Sequence, residues 1–551
     1  MKTTAIHPII YVRGYAMTQA EIEDTVADPY MGFNIGSSKV RQIWDGSVKK
    51  YFFESPLVRL LKQFDYDDVF EEGQDRVSEL SAPSTVDGTV RPVSYRSIVI
   101  YRYYEPSSVD LGSDARPDMA RFAKGLGELI LKLRDRVYPQ GKGTVISKQE
   151  RDAGKLPYDK FRVYLVAHSM GGLVCRAFLQ NPEFGSPEAR SLVDKLFTYA
   201  TPHNGIDLGI LGNVPSWLSL YGINTFNRRE IARLLSLADD VLDGDNVDIV
   251  TNFDANRVFN LVGTNPVDYK VAAGLSSAAV GEASDGLVRI KNSTTRGRSA
   301  DGYVFSPHAF VHRSHSGFFG IVNSEEGYQN LVRFLYGDVR ADGTLEIDEL
   351  TLPPAVQEKY EEGRDIKASY LFEVSVSVRG KPWQLHRRTA NENSAIFRRF
   401  DELFSKKAKA SAGDGVKTSW KPNTFASPIL FNIFLDMGQS QTGSTVSFAL
   451  DLCVRVPEYE VDGLLFLKDH YEGGYLYRDI IILEARPPQT AKEQWLFEYT
   501  FASKRGSKPA TAKVVSEDGG GLTFEIPIRQ PTPPGIRARL RVKTTYWNAW
   551  Q

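Results

Sequence analysis

The hydrophobic pattern of the chain changes character near residue 340. Before it, short apolar runs alternate with stretches whose apolar residues recur at steps of three and four. The runs at 9–12 (IIYV), 97–103 (SIVIYRY), 161–167 (FRVYLVA), 196–200 (LFTYA) and 257–263 (RVFNLVG) read as buried strands. Between them Met119, Phe122, Leu126, Leu129, Ile130, Leu133 and Val137 mark one face of a helix, ended by Pro139 and Gly141. Residues 55–64 (SPLVRLLKQF) read as a short amphipathic helix within an elaborated polar connection. Strands and helices alternating in this way predict an α/β fold, a mainly parallel sheet with helices on both faces.

After that point the period becomes two. In SYLFEVSVSV, Phe372, Val374, Val376 and Val378 fall on one face and Glu373, Ser375 and Ser377 on the other. Further short runs follow, among them PILFNIFLDM, RDIIILEARP, LTFEIPI and IRARLRVKTTYW, many divided by glycine, proline or asparagine. Repeated short strands with turns between them predict a β-sandwich. The expected organisation is therefore an α/β domain over residues 1–340, a charged linker with a short helix over 341–366, where Pro353 and Pro354 lie, and a β-sandwich domain over 367–551. The basic insert at 383–411 reads as a solvated surface helix.

A chain of 551 residues is long for a single core, and its 42% hydrophobic and 25% charged content is that of an ordinary globular protein. A formal net charge of −1 gives no electrostatic reason to expect nucleic acid as a partner. Cys175 and Cys453 stand far apart and imply no disulfide framework, which fits a reducing compartment. The apolar run at 9–12 is too short for a signal peptide, and no stretch approaches the roughly 18 apolar residues of a membrane span. The expectation is a cytoplasmic protein, or one exported by a route independent of a signal sequence, whose contact with a lipid interface would be peripheral.

The chemistry concentrates at 161–180, FRVYLVAHSMGGLVCRAFLQ. An apolar strand meets His168-Ser169-Met170-Gly171-Gly172, and a helical pattern follows at once. Strand, tight turn and helix around A-x-S-x-G are the context of a nucleophile elbow, which exposes a serine hydroxyl above a parallel sheet. Ala167 and Gly171, two before and two after Ser169, are small where strand and helix close on each other.

These residues resemble the lipase- and esterase-like α/β hydrolases, the bacterial lipases and the GPI inositol-deacylase-like branch among them, over residues 5–337. The resemblance implies an α/β-hydrolase fold with a lid or cap at about 206–250, where IDLGILGNVPSWLSLYGINTF is unusually apolar. It also implies an oxyanion hole from the N–H groups of Tyr15, after the first strand, and Met170, after the nucleophile. In the T-P-H-x-G loop after the fourth run it makes His203 a loop-shaping residue. Asp285, followed by Gly-Leu-Val, resembles the acid position, with Asp268 as competitor and an ordinary aspartate–glycine turn as the plain alternative. His308, His312 and His315 are candidate bases that spacing does not separate; the His315-Ser316-Gly317 stretch ahead of a helix resembles the terminal histidine loop and favours His315.

The implied activity is carboxylic-ester hydrolysis on lipid-type acyl esters by Ser169, His315 and Asp285, with no cofactor. Two other classes are open to the sequence: an acyltransferase on the same triad, and an inactive hydrolase-fold scaffold whose β domain binds a partner. No family resemblance is drawn for the C-terminal half.

Overall fold

Val163–His168 is buried at every position, and two different helix layers cover its two faces. Val163, Leu165 and Ala167 belong to one cluster with Leu126, Ile130 and Leu133 from the helix Met119–Val137 (α2) and with Leu173 and Ala177 from the helix Met170–Gln180 (α3). On the opposite face Phe197 and Phe259 stack at 5.0 Å, and Phe334 of the helix Glu325–Tyr336 (α4) lies 5.3 Å from Phe259. The helix Ser55–Gln63 (α1) is tied to α4 by the Arg59–Glu325 ion pair at 2.7 Å and by Tyr328 Oη donating to Gln63 Oε1 at 2.7 Å.

In the computed structural model the chain divides into two compact units, Met1–Tyr336 and Gly337–Gln551. The described residues are 6–14, 36–42, 48–101, 119–206, 227–238, 246–267, 283–406 and 420–548, several of these ranges with short interruptions. Tyr15, Asp268 and most of the stretch expected as a lid fall outside them. Among the described residues no helix is long and apolar enough to cross a membrane.

The first unit is built on a seven-stranded sheet. In chain order its strands are Ile9–Val12 (β1), Asp67–Asp68 (β2), Ser97–Tyr101 (β3), Val163–His168 (β4), Val193–Tyr199 (β5), Val258–Gly263 (β6) and His308–Val311 (β7). Their spatial order is β7-β6-β5-β4-β1-β3-β2, and every pairing is parallel. The strand β1 pairs with β3 on one side and β4 on the other, so the direction of winding reverses there. In an open parallel sheet the crevice at the carboxyl ends beside such a reversal is where ligands bind. This is an α/β-hydrolase fold, followed by a β domain.

The second unit has two antiparallel sheets. Val339–Thr351 (β8), Ile429–Leu435, Lys513–Asp518, Gly521–Gln530 and Gly535–Tyr546 make the five-stranded one. Ile366–Val378, Gln384–Arg388, Ile396–Arg399, Val446–Asp462, Lys468–Arg486, Leu496–Phe501 and Ala510–Thr511 make the other. Their inner faces share one buried cluster, with Leu345 and Leu540 from the first sheet and Phe372 and Leu450 from the second, which makes the unit a sandwich.

Two expectations are corrected here. Much of the linker expected at 341–366 is β8, which pairs with two neighbours along its length. Ala341, Gly343, Leu345 and Ile347 are buried in alternation, while the outward Glu346 and Asp348 meet Arg539 at 3.0 Å and 2.9 Å. The charges that suggested a linker are a cross-strand ion ladder. The insert expected as a surface helix begins instead with two short strands on the edge of the second sheet, because Leu385 and Ile396 are drawn into its core.

Candidate active site

Ser169 joins β4 to α3 with φ +52° and ψ −125°, a backbone conformation that side chains other than glycine rarely adopt. Such a turn costs about 1–3 kcal/mol and persists where surrounding contacts over-determine it. The contacts are visible: the Ser169 N–H donates to the Tyr199 carbonyl at 2.9 Å, and the first turn of α3 presses on the end of β1. A Cβ on Gly171 would stand 2.3 Å from the Val12 carbonyl oxygen and 2.7 Å from that of Arg13, so only glycine fits. Met170 is the first residue of α3, and an N–H at that position has no acceptor within its own helix. Gly14 lies against Ser169, where a Cβ would come within 3.1 Å of the serine Cβ.

His315 comes to the same place from beyond β7. Its Nε2 is 2.9 Å from Ser169 Oγ, and its Nδ1 is 2.9 Å from Asp285 Oδ2. All three residues are buried. Asp285 reaches the carboxyl end of β6 because Gly263 leaves room for it; a Cβ there would be 2.8 Å from the aspartate Cβ. Its other oxygen, Oδ1, accepts the N–H groups of Leu287 at 3.0 Å and Val288 at 2.8 Å. The aspartate thus belongs to a turn and to the histidine at once, one oxygen for each. The His315 N–H also donates to the Asp285 carbonyl at 2.9 Å, so backbone as well as side chain links the two loops.

The other histidines stand elsewhere. His308 opens β7, with Nδ1 donating to the Ser306 carbonyl at 2.9 Å. His312 Nδ1 is 3.3 Å from Thr264 Oγ1. His203 is fully buried with Nε2 3.1 Å from Thr198 Oγ1, and burial holds its pKa well below the ordinary value of 6.5. The loop that carries it is pinned from below. Buried Arg176 donates to the carbonyls of His203, Val247 and Ile249 at 2.9, 3.0 and 3.0 Å, and Asn204 Nδ2 donates to Asn246 Oδ1 at 2.8 Å.

One residue of the site has no assigned role in the sequence motif. His168 Nε2 lies 3.0 Å from the His315 carbonyl oxygen; because that oxygen can only accept, Nε2 carries the proton. Burial, with the neighbouring His315 imidazole and the Arg13 charge, pushes the His168 pKa down to about 3, so the ring stays neutral. A histidine beside a serine carries no sequence signal for a contact 147 residues away. Among the described residues no group of three or more His, Cys, Asp or Glu side chains is placed to hold a metal ion.

No protein-family model matches the chain, and no curated protein does. Several solved chains are similar to it, two of which follow. One is phospholipase PlaB from Legionella pneumophila in complex with thio-NAD, at 12% identity over 92% of this chain and 91% of that chain, with a TM-score of 0.30. The other is phospholipase PlaB from Legionella pneumophila, at 13% identity over 58% of this chain and 75% of that chain, with a TM-score of 0.21. Likeness at this level adds nothing to the fold described above.

Proposed function

We propose that this chain is a serine carboxylic-ester hydrolase that works through Ser169, His315 and Asp285 and a covalent acyl-enzyme. The observation that carries the reading is the unbroken line from Ser169 Oγ to His315 Nε2 and from His315 Nδ1 to Asp285 Oδ2, each contact 2.9 Å. It starts at a serine held at positive φ beside the reversal point of a parallel sheet.

In the proposed reaction Ser169 Oγ attacks the ester carbonyl while His315 Nε2 takes its proton. Asp285 keeps the proton of the neutral ring on Nδ1, leaving Nε2 free to accept, and stabilises the imidazolium that forms. The oxyanion meets the Met170 N–H, joined by that of Tyr15, the second donor implied by the sequence resemblance. The imidazolium protonates the departing alcohol. Water, deprotonated by the same Nε2, then releases the acid and restores the serine.

Acyl esters of lipid type are the substrate class we favour, on the sequence of 206–226, where Leu208, Ile210, Leu211, Trp217 and Leu218 follow the His203 loop. The test is hydrolysis of p-nitrophenyl esters from acetate to palmitate, then of a phospholipid and of a triolein emulsion, by the parent and by Ser169→Ala. Rates that climb with chain length and vanish in the variant are expected. Activity confined to the shortest esters would remove the lipid class and leave the triad. A parent no faster than the variant would remove the enzyme.

A further inference from the structure

We infer that Arg176, with Gln180 and Asn181 beside it, is a positioning residue for substrate choice. It fixes the excursion of chain at 203–252 to the helix that carries Ser169, and so sets where the acyl chain of an ester can lie. The inference rests on the proposed ester-hydrolase reading and adds to it a specificity determinant away from the triad.

Every residue of α3 is buried, yet its far end presents a polar edge. Arg176 and Gln180 stand four residues apart and share a face of the helix; Asn181 ends it. Arg176 Nε donates to Gln180 Oε1 at 2.9 Å, and the rest of its fork is spent on the carbonyls of His203, Val247 and Ile249. Gln180 Nε2 reaches the Ile249 carbonyl at 3.1 Å, and Asn181 Nδ2 the Leu234 carbonyl at 3.0 Å. In return Asn252 Nδ2 donates to the Gln180 carbonyl at 2.8 Å. Asn204 closes the base of the excursion: its Oδ1 accepts the Val247 N–H at 2.8 Å and its carbonyl accepts Arg228 Nε at 3.2 Å. The chain therefore leaves and returns side by side. Within the excursion Ile231, Leu235 and Leu237 join the buried cluster of Leu173 and Ala177.

The choice of an arginine here is what gives the edge a purpose beyond packing. Its contacts are all to neutral oxygens, and Asp248, the carboxylate whose charge reaches it, is paired with Arg296 at 3.1 Å. A buried cation that meets only neutral partners is costly, whereas an apolar side chain would pack there without that cost. What the guanidinium adds is a rigid fork that holds carbonyls of two separate segments at once. It thereby registers the excursion against Ser169, seven residues and so about 10 Å along the same helix. The apolar stretch at 206–226, on which the lipid-type reading rests, lies inside that excursion.

The test is the ratio of kcat/KM for p-nitrophenyl octanoate to that for p-nitrophenyl acetate, measured on the full-length protein. Each methylene held against protein is worth roughly fourfold, so losing the place of two lowers the ratio about tenfold in Arg176→Met. Arg176→Lys, whose ammonium still donates to these carbonyls, should fall between that variant and the parent. If Arg176→Met fails to fold, Asn181→Asp takes its place: it keeps the acceptor for the Glu183 N–H, loses the donor to Leu234, and should lower the ratio roughly two- to fourfold. Hydrogen exchange in a Ser169→Ala background reads the clamp without turnover. Arg176→Met should quicken exchange at 227–238 and 246–252 at least tenfold while 163–168 keeps its protection. A ratio equal to the parent's, or exchange raised as much in 163–168 as in the excursion, overturns the inference. Acetate hydrolysis by the parent no faster than by Ser169→Ala removes the catalytic reading, and the inference with it.

Discussion

His168, the residue before Ser169, donates its Nε2–H to the backbone carbonyl of His315, the residue whose imidazole faces Ser169 Oγ, at 3.0 Å. The ring planes are tilted by 42° with centroids 5.1 Å apart, so the turn that carries Ser169 also carries a strut for the loop of His315. Both groups are buried, where an unmade hydrogen bond costs about 1–3 kcal/mol.

From this strut His168→Leu is expected to lower kcat roughly ten- to a hundredfold with KM little changed, because the His315 carbonyl loses its donor and the imidazole its place. His168→Gln, which can present an amide N–H in the same direction, should restore most of the rate. A purely structural role would lower the folded fraction in both variants and leave kcat per folded molecule alone; active-site titration beside circular dichroism separates the two.

The two oxygens of Asp285 can be told apart. Asp285→Asn keeps an acceptor for the Leu287 and Val288 N–H groups while losing the charge that holds the imidazolium. It should cost about 10³- to 10⁴-fold in kcat with little loss of stability. Asp285→Ala orphans both N–H groups as well and should lower stability by about 2–4 kcal/mol more than the asparagine variant. Urea midpoints and ester hydrolysis on the same preparations check both. Equal stability of the two variants would mean that the turn does not need the carboxylate.

Ser169 is held at positive φ, so Ser169→Gly should raise thermal stability above Ser169→Ala while both abolish ester hydrolysis. Gly171→Ala should fail to give soluble protein, since its new Cβ meets backbone oxygens that no side-chain trimming can move. Melting temperatures and soluble yield are the measurements.

Acid should weaken the fold well before its carboxylates are protonated. Burial holds His7 down to about 4 and His168 down to about 3, and His203 is lowered in the same sense. In the unfolded chain such rings titrate near 6.5, so between about pH 6.5 and pH 4 the unfolded chain binds more protons and gains ground as pH falls. Urea midpoints should drop by several kcal/mol equivalent across that window, and His7→Gln or His168→Gln should flatten part of the slope. A midpoint independent of pH between 7 and 4.5 would contradict the neutral buried rings.

The elements that the sequence yielded are those coded locally. The elbow is a strand, a strained turn and a helix within twenty residues, and its small positions can be read from the close approach they permit. The helix Met119–Val137 follows from seven apolar residues at helical steps. What stayed hidden is coded by pairing at a distance. β8 carries its alternation through Ala341 and Gly343, weak markers, and its charged positions only make sense beside Arg539 and Arg541 on a strand nearly 200 residues later. The His168 strut is of the same kind. In the sequence Asp285 reads as a turn aspartate or as the acid beside a histidine; in the fold Oδ1 accepts from the turn and Oδ2 faces His315, a division no local pattern encodes.

The most direct test of the central claim is labelling of the native, full-length protein with a serine-directed fluorophosphonate, with the modified peptide read by mass spectrometry. The proposed triad predicts one label per chain on Ser169, none in Ser169→Ala, and labelling slowed by orders of magnitude in His315→Ala. Native protein that takes no label, or Ser169→Ala protein that takes as much, would contradict it.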